Sequence, residues 1–245
     1  MTDPSPGPRL AHIDALRGLA IAQMIAYHAI YDLGYFGWLH LAMTRDPPWI
    51  AWRTAIVAQF LLLVGIGLVL REARGIDGAR FWRRWAQIAG AALLVSAGSR
   101  LLFGPRFIWF GILHFVAVAL VLGRSLASRG WRTSLLLAAI SAGVGLLLRS
   151  TRFDADALSW IGFATIKPGT EDFVPVFPWL GAVFAGMALG IAWRKRSFRV
   201  GAPLEGIAAH PPPVLAQLGR WPLTVYLVHQ PLLMGFLWLV RRLAG

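Results

Sequence analysis

Residues 12–33 read HIDALRGLAIAQMIAYHAIYDL. The run is long enough to cross a bilayer as a helix, which takes roughly 20 mainly apolar residues. It nevertheless carries Asp14, Arg17, His28 and Asp32. At about 100° per residue these four fall within a sector of about 60°, while Gln23 lies on the opposite face. One polar stripe on an apolar helix must face protein or a water-filled cavity, because lipid does not solvate it. Arg17 and His28 are separated by about three turns, or about 16 Å along the axis.

Apolar stretches of similar length recur at about 49–71, 85–104, 107–124, 131–149, 174–193 and 221–240. The expectation is an all-α polytopic membrane helix bundle of about seven spans, with residues 1–11 as a short cytoplasmic tail and 12–245 as a single transmembrane domain. Gly104-Pro105 predicts a tight turn between the third and fourth spans. Composition agrees. Of 245 residues, 57% are hydrophobic and 14% charged, against roughly 25% charged in soluble domains. The absence of cysteine excludes disulfide frameworks, thiolate metal sites and cysteine nucleophiles.

The net charge of +13 fits a nucleic-acid binder only if the basic residues share one folded face. Here they sit between apolar runs, so no nucleic-acid partner is expected and the bilayer is. Loop 71–84 holds Arg71, Arg74, Arg80, Arg83 and Arg84; loop 124–132 holds Arg124, Arg129 and Arg132; loop 194–220 holds Arg194, Lys195, Arg196, Arg199 and Arg220. With Arg9 they outnumber the basic residues of the alternate loops and C-terminus, fourteen to eight. The bias places the N-terminus in the cytoplasm, although Arg241 and Arg242 run against it. Tryptophans cluster near the predicted span ends, including Trp38, Trp49, Trp52, Trp82, Trp85, Trp131, Trp193, Trp221 and Trp238, as interfacial belts require. The first span has no short apolar region with a small-residue cleavage site, so it reads as a retained helix rather than a signal.

The polar stripe defines a candidate site. Arg17, near the cytoplasmic end, can hold a phosphate of a donor or pair with Asp14. His28, farther across, can act as base or nucleophile, and Asp32, one turn on, can orient its ring. Alternatively Asp14 and Arg17 only pair, and His28 bonds a neighbour in the bundle. His114 is a second acid/base or acceptor-binding candidate, against a core histidine bonded to a carbonyl. In Tyr226-Leu227-Val228-His229-Gln230-Pro231 the proline can break the helix, letting Tyr226 and His229 line a cavity; a self-satisfied kink is the other reading. Arg100 can bind an acceptor, although snorkelling outward is favoured. Gly186 and Gly190 form a GxxxG pair suited to close helix packing. Loop 150–173, with Asp154, Asp156, Lys167, Glu171 and Asp172, reads as a solvated loop ahead of an acceptor-facing lid. His12, His40 and His210 carry little weight. Zinc-protease, Walker and G-x-S-x-G signatures are absent from the sequence, and no metal is expected.

Ile13-Asp14-Ala15-Leu16-Arg17-Gly18 through Met24-Ile25-Ala26-Tyr27-His28 resembles the opening of the prokaryotic heparan-alpha-glucosaminide N-acetyltransferase catalytic-domain family, within the membrane acyltransferase superfamily. Phe110–Phe115, Phe177–Gly181 with Gly186–Gly190, and Val225–Pro231 continue the resemblance in family order. It implies an acyltransferase-like domain that moves an acyl group, in the first instance acetyl, from cytoplasmic acetyl-CoA or another acyl-CoA to a sugar or amino-sugar (glycan) acceptor at the outer face of a bacterial inner membrane. His28, Arg17, Asp14 and Asp32 would then be catalytic, Arg17 would also serve the donor, and His114, His229, Tyr226 and Arg100 would contact substrate. A homo-oligomer is compatible with this reading. A proton-coupled or small-molecule transporter would use the same stripe as a relay, and a scaffold would use it only to lock helices together.

Overall fold

The computed structural model describes residues 10–75, 77–195 and 211–244. Arg9, Arg196, Arg199, His210 and most of the expected tail lie outside the described residues. Among the described residues there is no strand. The long helices are α1 (Ala11–Tyr35), α2 (Pro47–Ala73), α3 (Gly78–Phe103), α4 (Ile112–Arg124) and α5 (Trp131–Leu147). A short α6 (Asp156–Ser159) precedes α7 (Val176–Lys195), and a short α8 (Pro213–Leu218) precedes α9 (Pro222–Ala244).

Every predicted apolar stretch contains a helix. By length and composition α2, α3 continued to Arg106, α7 and α9 can cross a membrane, while α4 and α5 are shorter apolar helices. α1, at 25 residues, has the length but carries the polar stripe. Large apolar side chains turn outward, Leu101 and Leu147 being 89% and 82% exposed. That is the pattern of a surface solvated by lipid tails rather than water. The fourth helix begins at Ile112, not near 107. Gly104, at φ +56°, turns the chain into a 3₁₀ turn over Gly104–Arg106. The Ser99 hydroxyl then accepts from the Ile108 amide, and the Ser96 hydroxyl donates to the Ile108 carbonyl. Side chains of α3 thus occupy the backbone groups that an earlier helix start would need.

The described residues form two compact units, one of residues 10–60 with 211–244, the other of residues 61–75 with 77–195. In the first, α1 is packed on two sides. Gln23 donates to Gln59 Oε1 of α2 at 2.9 Å and accepts from the Trp52 indole at 3.4 Å, so the face opposite the stripe meets α2. Ile21, Met24, Tyr27, Met43 and Ile56 form the apolar core there. Across α1, Gly18 abuts the Leu215 carbonyl of α8, and Gly219 abuts the Asp14 carbonyl. A side chain at either glycine would overlap backbone.

In the second unit α5 packs along α7, with Gly181 against Ala138 and Ala142. Gly186 lies on the Leu62 backbone and Gly190 on Ile66 and Val69, so the GxxxG pair is a packing surface for α2, as its spacing suggests. The Trp85 indole donates to the Ala117 carbonyl at 3.0 Å, tying α3 to α4.

Gly18→Val is expected to force α8 off α1. Overpacking costs about 1–3 kcal/mol, or a fall of roughly 2–12 °C in Tm for a chain of this size. Gly90→Ala, where nothing lies within 4 Å of an added Cβ, should leave Tm unchanged or raise it. Thermal unfolding of the two purified variants checks this; equal melting temperatures would contradict the close α1–α8 crossing.

Candidate active site

The stripe of α1 meets α9 at two successive levels. At the first, His229 Nε2 lies 2.9 Å from His28 Nδ1, with ring centroids 5.0 Å apart. His229 Nδ1 lies 2.7 Å from the Tyr226 carbonyl. A carbonyl only accepts, so His229 carries its proton on Nδ1. Its Nε2 is then a bare acceptor, and the proton in the inter-histidine bond belongs to His28 Nδ1. The remaining lone pair of the pair of rings is on His28 Nε2, for which there is no hydrogen-bond partner among the described residues. The chain of bonds runs from His28 through His229 to the backbone of α9 and presents a single basic nitrogen.

At the second level the Gln230 amide donates to both oxygens of Asp32, at 2.8 and 3.0 Å. Asp32 is 1% exposed. It holds Gln230 rather than the ring of His28, whose Nδ1 is bonded by His229 instead. His229, expected to contact substrate, is bonded directly to His28. α9 is continuous through Pro231; no helix break is needed, because His229 reaches α1 from an intact turn. Tyr226 contributes its carbonyl to His229 and packs its ring against the apolar core.

Toward the start of α1, Arg17 Nη1 donates to Asp14 Oδ1 at 3.0 Å, with the arginine side chain 30% exposed and that of Asp14 12%. The pairing read from the sequence is therefore present. It fixes the guanidinium on the same side of the helix as His28.

His114 and Arg100 belong to the other unit. The Gly111 amide donates to His114 Nδ1 at 3.2 Å, and Ser96 Oγ lies 3.1 Å from Nε2. Since Ser96 spends its own proton on the Ile108 carbonyl, His114 carries its proton on Nε2. Both ring nitrogens are committed to the α3–α4 turn. Arg100 donates to the Gly104 carbonyl at 3.0 Å and places its guanidinium 5.2 Å from the Phe107 ring centre. It closes the end of its own helix instead of reaching away from it.

Gln230 and Gln59 were not singled out from the sequence. Gln230 adjoins His229, which was a usable signal. Gln59 is one uncharged polar residue in an apolar run, and its partnership with Gln23 is visible only in three dimensions.

Apolar helices of spanning length, with Arg17 and His28 on one stripe of α1 and His229 meeting His28 from α9, define a polytopic membrane protein with ionisable groups inside its bundle. The family described as heparan-alpha-glucosaminide N-acetyltransferase, catalytic, matches residues 9–231, and the chain belongs to it. Membership makes it a membrane acyltransferase in the broad sense. No curated protein and no solved structure matches it.

Proposed function

We infer that the chain transfers an acetyl group from cytoplasmic acetyl-CoA to an amine or hydroxyl of a sugar or amino-sugar acceptor at the outer face of a bacterial inner membrane. The observation that carries this reading is the single lone pair that the His229 bond leaves on His28 Nε2. In the direct route, the acceptor nitrogen or oxygen attacks the thioester carbonyl as Nε2 takes its proton. The C–S bond breaks, and the imidazolium returns the proton to the departing CoA sulfur. In the covalent route the same lone pair attacks first, the C–S bond breaks and CoA leaves as the thiolate from an acetyl-imidazolium; the acceptor then displaces the acetyl group from the ring, and the proton it loses neutralises the thiolate. In both, His229 holds Nδ1–H and stabilises the positive charge that develops on His28. Arg17, steadied by Asp14, serves the CoA phosphates.

The test uses purified protein with acetyl-CoA and a panel of amino sugars and glycans. Free thiol should appear only when both donor and acceptor are present. Acceptor movement across vesicles without thioester loss would favour a carrier and overturn the reading.

The orientation follows from the arginine bias. A reporter inserted in 71–84 should be cytoplasmic and one in 150–173 external. The reverse pattern would put the Arg17 end of α1 on the side without acyl-CoA.

A further inference from the structure

A cavity of about 400 Å³ opens among the connecting segments of the second unit, lined by Pro105, Phe107, Trp109, Asp156, Pro168 and Gly169, among others. The volume is within the range of small-molecule sites, ~300–1,000 Å³. Its walls are tied to each other. The Thr170 hydroxyl donates to the Phe107 carbonyl at 2.7 Å, and the Glu171 amide donates to the Arg106 carbonyl at 3.2 Å. Arg106 and Glu171 are also ion-paired at 2.7 Å. The Trp109 ring is braced by Phe110 and Phe173, with centroids 6.1 and 6.2 Å away.

The acids of this region have different occupations. Asp154 accepts from the Thr165 hydroxyl and amide, both at 2.6 Å, and these bonds hold its carboxyl below the usual carboxylate range. Asp172 accepts from the Ile112 amide at 2.9 Å, and Glu171 pairs with Arg106. Asp156 lines the cavity, and its carboxylate has no hydrogen bond or ion pair among the described residues.

We propose that this cavity binds a sugar ring through Trp109, Phe107 and Asp156. A pyranose offers an apolar C–H face, which aromatic rings cover, and a rim of hydroxyl donors, which a carboxylate accepts in short charge-assisted bonds. A cation fits less well, because the Arg100 guanidinium already lies against the Phe107 ring. An anion is repelled by Asp156. A neutral polyol satisfies both. The cross-tied walls spare the ligand much of the cost of ordering its site. Naming the acceptor's sugar as the occupant rests on the proposed transfer reaction; the cavity's preference for a sugar does not.

The experiment is saturation-transfer NMR on the full chain in lipid nanodiscs prepared without glycoside detergent. The probes are the N-acetylglucosamine disaccharide and the corresponding glucose disaccharide, both neutral, with choline as a cationic control. Wild type and His28→Ala should both bind the disaccharides. Trp109→Ala and Asp156→Asn should bind about tenfold more weakly, Trp109→Phe should retain binding, and choline should not bind. The proposal is overturned if neither disaccharide binds wild type, if Trp109→Ala and Asp156→Asn bind as wild type does, or if choline binds in preference. Binding that survives in His28→Ala, alongside undiminished acetyl transfer by that variant, would overturn the transfer mechanism and leave the cavity assignment standing.

Discussion

His28→Ala should lower acceptor-dependent CoA release by about 10²–10⁴-fold, the usual contribution of a positioned base, while sparing affinity for CoA. The reason is geometric. His229 Nε2 accepts the proton of His28 Nδ1, and His229 Nδ1 is held by the Tyr226 carbonyl. No other nitrogen of this network presents a free lone pair, so truncating His28 removes the base and leaves His229 without a donor. Arg17 and Asp14 are more than two turns away on the same helix and keep their own contact. Thiol release measured with saturating donor and acceptor, next to a CoA binding isotherm, separates chemistry from binding. Undiminished, acceptor-dependent thiol release by the variant would sink the assignment of His28.

His229→Ala should cost less, roughly 10–10²-fold in kcat with little change in KM. It leaves His28 in place but removes the acceptor that selects its Nδ1–H tautomer and steadies the imidazolium formed in the reaction. A neutral imidazole partner stabilises that charge less than a carboxylate does, which keeps the expected loss below that for a triad aspartate. His229→Gln can offer a side-chain carbonyl to the same N–H and should recover part of kcat. A residue that merely packed α9 on α1 would show a different pattern. Both variants would lose stability, KM would move, and glutamine would restore neither. Kinetics and thermal unfolding of the two variants therefore distinguish a positioning histidine from a packing one.

Much of the fold was legible because its causes are local. Helix periodicity places Asp14, Arg17, His28 and Asp32 on one side of α1 whatever surrounds it, and the same arithmetic puts Gln23 opposite, where it meets Gln59 and Trp52. Gly104-Pro105 is a turn for reasons contained in those two residues. The start of α4 was harder to place, since it depends on Ser96 and Ser99 capturing the backbone of Ile108. Hydropathy does not register such bonds.

By itself the sequence determined that this chain is a bundle of apolar helices, that its charges lie mainly between them, and that the first helix carries an ordered arginine and histidine on an internal stripe. These follow from side-chain transfer free energies and a 3.6-residue repeat, which act within one segment. Only the tertiary structure decided that His229, 201 residues from His28, holds its ring, that Asp32 binds Gln230 instead, and that His114 is committed to its own turn. A histidine's proton goes to whichever nitrogen faces an acceptor-only neighbour, and that neighbour is supplied by another helix or by a fold of the backbone. The chemistry of His28 was therefore undetermined until α9 was packed against α1.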